Sequence, residues 1–189
     1  MRVQALYSVI GILFISIVMY VLFDRLGQDP REIPSVQLGQ LVPDRMLPTL
    51  NGGPPKQIKA YLKGKPSLIH FWATWCMTCQ VEHPTLIEDQ RFKGMTFIGV
   101  LFKDDPVHAS QWLRRMGNPY QVVLLDHSGE LAMDMGVYGT PETFLVDAQG
   151  RIVLRHTGLV DDRVWRTVLL PALQKLKLTR VDSVRGLHV

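Results

Sequence analysis

Cysteine is nearly missing from this chain: 189 residues contain two, Cys76 and Cys79. With no third cysteine, a zinc site would have to recruit His70 and His83, which are poorly grouped for it. No separate cysteine is left to serve a thiol peroxidase either. Excess charge of one sign is also lacking. The formal net charge is +4, and the basic residues are scattered without an aromatic-interleaved cluster, so nucleic-acid binding has no support. Internal repeats and low-complexity tracts are absent. A composition 47% hydrophobic and 20% charged is that of a folded globular chain and not of a disordered or collagen-like one. The length suits one ordinary domain with an appendage.

What is present begins with one long apolar run. Ala5 to Phe23 is 19 residues without a charge, framed by Arg2 and by Asp24-Arg25. As a helix it would be roughly 28 Å long, close to a bilayer core. A cleaved signal peptide is the competing reading, but its apolar region is shorter and ends at small residues. Here the run ends Met19-Tyr20-Val21-Leu22-Phe23. The expectation is therefore an uncleaved membrane anchor over 1–23, with Arg2 and the α-amino group retained in the cytoplasm. The rest of the chain would then face the oxidising side of a bacterial inner membrane, where paired thiols have disulfide chemistry to do.

Residues 24–37, with Pro30 and Pro34, read as a linker. A single domain is expected over 38–178 and a tail over 179–189. Within the domain, short apolar pieces precede the Asn51-Gly52-Gly53-Pro54-Pro55 turn cluster and a short helix over Gln57 to Leu62. Ser67 to Ala73 reads as a buried strand. A helix from about Met77 to Arg91 follows, carrying a kinking Pro84. Met95 to Phe102 is a continuous apolar strand. Pro106 to Met116 is a helix expected to place Val107, Trp112 and Leu113 on one side. Gln121 to Leu125 is a strand and Ser128 to Met135 a short helix. Phe144 to Val146 and Arg151 to His156 form a hairpin across Asp147-Ala148-Gln149-Gly150. An amphipathic helix from about Asp162, bent at Pro171, closes the domain. Strands alternating with helices, then a hairpin and a final helix, give a mixed-sheet α/β sandwich. A CxxC pair near a βαβ pattern makes the expected fold thioredoxin-like.

Only a thiolate is nucleophilic, and a helix N-terminus lowers a thiol's pKa. Cys76 falls at that position, on the exposed side. Cys79, one turn further in, can attack a mixed disulfide formed by Cys76 and release the product. Two other readings of the pair stand beside this one: half of a zinc site, and a permanent structural disulfide. The latter would close a loop too short to stabilise much. Haem attachment would need a histidine after Cys79, where Gln80 stands.

Phe71-Trp72-Ala73-Thr74-Trp75-Cys76-Met77-Thr78-Cys79 resembles the active site of the thioredoxin superfamily, and Pro84 falls where that superfamily carries a helix proline. Gly136-Val137-Tyr138-Gly139-Thr140-Pro141-Glu142-Thr143-Phe144-Leu145 is similar to the signature of the CcmG/DsbE family, the membrane-anchored thioredoxin-like proteins of cytochrome c maturation. The resemblance spans roughly residues 36 to 178. It implies a thiol:disulfide oxidoreductase that needs no cofactor beyond its own Cys76–Cys79 disulfide. The implied role is to reduce apocytochrome c CxxCH disulfides, directly or through haem-lyase components, with electrons from a membrane thiol reductase of the DsbD type. It also implies a single-pass inner-membrane protein whose catalytic domain lies in the periplasm.

Carried over by position, Cys76 is the attacking thiol and Cys79 the resolving one. Pro141 matches the loop proline that is cis in this superfamily, which leaves the Thr140 backbone facing the cysteines and free to pair with an extended substrate. Trp75 shapes the contact surface. Glu82 and Glu142 match acidic residues of the family, and a carboxylate near the pair opposes thiolate formation and can move protons. For both, an ordinary structural role is the alternative; for Glu82 this is a solvated helix position. Met77 stands where the family usually has proline. His70 occupies the position of the buried aspartate of thioredoxins proper, and reads either as a hydrogen-bonded core residue or as a base for Cys79. A disulfide oxidase or isomerase on the same fold, and a module that merely holds apocytochrome, are the rival functions.

Overall fold

The computed structural model describes residues 2–26, 37–62, 64–88, 92 and 95–176. The chain divides into two compact units, residues 1–34 and 35–189. In the first, helix α1 covers Arg2–Leu26, three residues into the expected linker, most of which lies outside the described residues. So does the expected tail. The described side chains of α1 run unbroken from Ile10 to Phe23 and are exposed on every face. Among the described residues, no helix is long and apolar enough to cross a membrane.

The second unit contains strands β1 (Met46–Leu47) and β2 (Lys56–Gln57), helix α2 (Lys59–Leu62), strand β3 (Ser67–Trp72) and helix α3 (Met77–Glu88). There follow β4 (Thr96–Phe102), α4 (Pro106–Met116), β5 (Val122–Asp126), α5 (Glu130–Asp134), β6 (Glu142–Val146) and β7 (Ile152–Thr157). Helix α6 opens at Asp162–Val164, widens into a π-type turn over Trp165–Leu169 and runs on through 170–176. The widened turn ends just before Pro171, the residue at which the sequence places a bend. Pro171 has no amide to offer the carbonyl four residues back, and a widened turn is a usual way to accommodate that.

One sheet organises the unit, in the order β5-β4-β3-β6-β7. The pairs β3–β4 and β4–β5 are parallel, whereas β3–β6 and β6–β7 are antiparallel. Helices α3 and α4 make the two parallel crossovers. This is the thioredoxin-like mixed sheet expected from the order of elements. Central strand β3 is buried at all six positions, which is why Leu68, Ile69, Phe71 and Trp72 put apolar side chains on both faces and the sequence does not alternate. Alternate residues still feed different cores. Leu68 and Trp72 pack on one face with Leu86, Trp112 and Trp165, while Ile69 and Phe71 pack on the other with Leu131, Met135 and Phe144. Each such side chain contributes about 2 kcal/mol on removal from water.

Local sequence explains the helix starts. Asp105 caps α4 by accepting from the His108 amide at 2.7 Å, and Pro106 occupies the first helical position. The expected face of α4 needs correction at one residue. Ala109, Trp112 and Leu113 are buried, but Val107 is 64% exposed. A separation of five residues turns the helix well past the buried stripe.

Candidate active site

In an open α/β sheet, chemistry collects beyond the carboxyl ends of parallel strands. Here β3 ends at Trp72, and Ala73-Thr74-Trp75 lead directly to Cys76. Because β6 runs antiparallel to β3, with Phe71 opposite Glu142, the start of β6 meets the end of β3. Thr140 and Pro141 are thereby delivered to the cysteines from 64 residues away in sequence. The Thr140–Pro141 bond is cis, and the Thr140 carbonyl oxygen lies 3.4 Å from Cys76 Sγ.

Cys76 and Cys79 form a disulfide. Cys76 precedes the first residue of α3 and so occupies its N-cap. The Cys79 amide, three residues into the helix, donates to Cys76 Sγ at 3.1 Å. The sulfur stands where capping oxygens usually sit, and as a thiolate it would draw on both that amide and the helix dipole. The expected exposure of Cys76 is corrected: it is only 6% exposed, against 4% for Cys79. Trp75 and Met77, on either side of it, are 57% and 79% exposed, so the outer surface of the motif is indole and thioether. Trp75 Nε1 donates to the Lys103 carbonyl, and the Thr74 amide to Asp104 Oδ2.

Beneath the disulfide lies a buried polar group. Glu82 sits one helical turn after Cys79 and is 1% exposed, so it is not a solvated helix residue. Its Oε1 accepts from the Val160 amide at 2.7 Å, while Oε2 has no hydrogen-bond partner and lies 3.7 Å from His70 Nε2. Burial pushes the Glu82 carboxyl up to about 7, against the Val160 bond that favours the charged form. Burial, with the adjacent His83, pushes His70 down to about 3. His70 is therefore uncharged near neutrality, where Glu82 titrates, and the contact is not an ion pair. His70 Nδ1 lies 3.0 Å from Thr143 Oγ1, its partner across the β3–β6 register, which matches a hydrogen-bonded core residue. Burial, then the nearby Glu82, pushes the Tyr120 hydroxyl well upward. Gly99 lets Tyr120 and Trp72 close over this layer; a Cβ there would stand 2.8 Å from the Tyr120 ring.

These shifts set a pH dependence. Glu82 binds its proton more tightly folded than unfolded, so the stability it contributes is complete below about 4.5 and is lost as pH rises through about 7. For His70 the sign reverses: its contribution is complete above about 6.5 and is lost as pH falls through about 3. The two slopes oppose each other in between. Glu82→Gln should remove only the first. Relative to wild type the variant is expected to gain on the order of 2 kcal/mol between pH 5 and pH 8, read from urea midpoints at both values. A constant offset would contradict it.

Glu142 is held elsewhere. It is fully buried, on the face of the sheet that carries Phe144 and Val146 and away from the cysteine face. Oε1 accepts from the Tyr138 amide at 3.0 Å and Oε2 from Arg155 Nε at 2.8 Å. Arg155 also donates to the Gly136 carbonyl at 2.7 Å and lies 5.0 Å from the Tyr138 ring centroid. Glu142 therefore fixes the loop that ends in Pro141, and the structure does not bring its carboxylate to the sulfurs. Arg155, Thr143, Lys103 and Asp104 were not singled out by sequence, since each meets its partner only through strand pairing or a loop contact.

A model of the Redoxin family matches residues 37–168. The thiol:disulfide interchange protein DsbE of Pseudomonas aeruginosa is 42% identical over 160 residues, covering 85% of this chain and 88% of that protein. DsbE of Escherichia coli is 42% identical over 150 residues, 79% of this chain and 80% of its own. The chain belongs to the CcmG/DsbE family. Among solved structures, a Chlorobium tepidum protein assigned as a DsbE superposes with a TM-score of 0.62 at 26% identity, over 74% of this chain and 99% of its own. As a DsbE-type protein the chain is a thiol:disulfide oxidoreductase: the Cys76/Cys79 pair carries two electrons as the dithiol and gives them up on closing the disulfide, so exchange needs no cofactor. Among the described residues, no group of three or more His, Cys, Asp or Glu could hold a metal ion.

Proposed function

We propose that this DsbE-type oxidoreductase works as a membrane-anchored, periplasm-facing reductant in cytochrome c maturation. The observation that carries the reading is the electrostatic setting of the disulfide. A strong oxidant of this fold owes its potential to a stabilised thiolate. Here the first titratable side chains after Cys79 on α3 are Glu82 and His83, and neither offers the thiolate a positive charge near neutrality: a carboxyl has none to give, and burial lowers the His83 pKa. The thiolate keeps one amide and the helix dipole, and the dithiol remains a ready electron donor.

In the proposed cycle the Cys76 thiolate attacks one sulfur of a substrate disulfide. A mixed disulfide forms and one substrate thiolate leaves. Cys79 then attacks Cys76 Sγ, closing the internal disulfide and releasing the second substrate thiolate. Two electrons pass to the substrate, whose two thiolates take up protons. The apocytochrome CxxCH pair, or a haem-lyase component, is the electron acceptor in this reading. A membrane thiol reductase of the DsbD type resets the dithiol. The uncharged apolar run Ala5–Phe23 supports the anchor, with the catalytic unit outside the bacterial inner membrane.

Redox titration of the full chain in detergent tests the direction. A couple close to ~−270 mV, where thioredoxin lies, is expected, and one near ~−120 mV would instead make the protein an oxidase.

A further inference from the structure

Among the described residues, Lys103 is the only non-glycine with a positive φ, at 46°. Such a conformation is uncommon for a side-chain-bearing residue, and it points to something the surroundings enforce. Here it turns the Lys103 carbonyl outward to accept from Trp75 Nε1 at 3.2 Å, while the Lys103 amide still donates to the Asp126 carbonyl at 3.2 Å. The next residue completes the grip: Asp104 Oδ2 accepts from the Thr74 amide at 2.6 Å, and its Oδ1 from the Asp105 amide at 2.7 Å. Gly129 leaves room for the arrangement, since a Cβ there would stand 2.5 Å from Lys103 Cε. Trp75 is thus more than half exposed yet tied at its polar edge, with the Phe102 ring 6.5 Å away.

We propose that Lys103 and Asp104 are positioning residues for thiol exchange: the β4–α4 turn holds the Thr74 backbone and the Trp75 indole from outside, making the indole a rigid docking face for the polypeptide around a substrate disulfide. This rests on the reading of the protein as a reductant of protein disulfides. A rigid aromatic surface contributes affinity because little side-chain freedom is lost when it is covered. The effect belongs to substrate binding and not to the sulfur chemistry.

Lys103→Val and Lys103→Gly separate the idea from a general loss of structure. A β-branched residue resists the left-handed conformation, whereas glycine adopts it freely. With Lys103→Val, KM for a peptide carrying an intramolecular CxxC disulfide should rise about tenfold, the weight of one aromatic anchor, with kcat unchanged. Exchange with hydroxyethyl disulfide should stay within about twofold, and Lys103→Gly should restore the peptide KM. Asp104→Asn, which keeps an acceptor, should resemble wild type, while Asp104→Ala should resemble Lys103→Val. The anisotropy of acrylamide-accessible tryptophan fluorescence reads the indole directly, because Trp72, Trp112 and Trp165 are all buried; it should fall in Lys103→Val and Asp104→Ala. Unchanged anisotropy and KM in those two variants would overturn the proposal, as would matching behaviour of Asp104→Asn and Asp104→Ala. Failure of wild type to reduce the peptide would instead strike the functional reading, and the anisotropy would still decide the positioning role.

Discussion

Replacing Cys79 by alanine should leave a protein that can attack a disulfide but cannot let go of it. Cys76 keeps the helix cap, the Cys79 position still supplies its amide, and the Thr140 carbonyl still lies over the sulfur. What disappears is the only thiol able to reach the mixed disulfide from inside the motif, since the chain has no further cysteine. Turnover should fall to background, and a covalent adduct should accumulate that a reducing agent dissolves. Non-denaturing extraction from membranes, followed by non-reducing electrophoresis and mass spectrometry, would identify the trapped partner. An apocytochrome, a haem-lyase component or a membrane thiol reductase is expected. Cys76→Ala should give neither turnover nor adduct. An adduct that survives in Cys76→Ala would reverse the assignment of the two sulfurs. Its absence from Cys79→Ala would remove the exchange mechanism altogether.

The second large effect is expected at a residue that touches no sulfur. Glu142→Ala leaves Arg155, whose side chain is 9% exposed, without its carboxylate, and leaves the Tyr138 amide without an acceptor. Removing one member of a buried pair typically costs about 3–5 kcal/mol, because the other charge remains desolvated and alone. Urea unfolding should show a loss of that order. Arg155→Met in the same background should recover much of it, since an apolar pair of similar volume is often neutral. A loss under about 1 kcal/mol would mean that the pair is solvated. The same variant should slow exchange with peptide disulfides, because Tyr138 and Gly136 are the points at which the Pro141 loop is held. Glu142 and Glu82 thus divide on chemistry: one is a fixed, paired carboxylate, the other a buried group near its titration point.

How much of this was legible in the sequence depended on distance along the chain. The strands around Cys76 were readable because Ser67–Trp72 and Thr96–Phe102 are mostly apolar on both faces, as a doubly covered strand has to be. The redox pair was readable from its spacing, and the Pro141 loop from its motif. Side-chain environment was harder. Glu82 and Glu142 read alike as acids near a motif, but strand alternation puts Glu142 on the far face of the sheet and a helical turn puts Glu82 beneath Cys79. Cys76 read as exposed, because nothing local shows that a carbonyl from 64 residues away lies over it. Lys103 and Asp104 gave no signal at all. A left-handed lysine is invisible to composition, and its partner Trp75 lies 28 residues earlier.

The cap on α3 also ties together two quantities usually measured on separate instruments. One sulfur serves as the helix's first acceptor and as the reacting atom, so the free energy that favours one oxidation state in the folded chain must reappear as a difference in fold stability between the two states. A thermodynamic cycle requires it: folded and unfolded dithiols differ in potential by the amount that oxidised and reduced proteins differ in unfolding free energy. For a two-electron couple about 30 mV corresponds to about 1.4 kcal/mol. A dithiol more reducing when folded than when unfolded therefore belongs to a protein that gains stability on oxidation. Unfolding the oxidised and the reduced chain in urea therefore reads the same quantity as the redox titration.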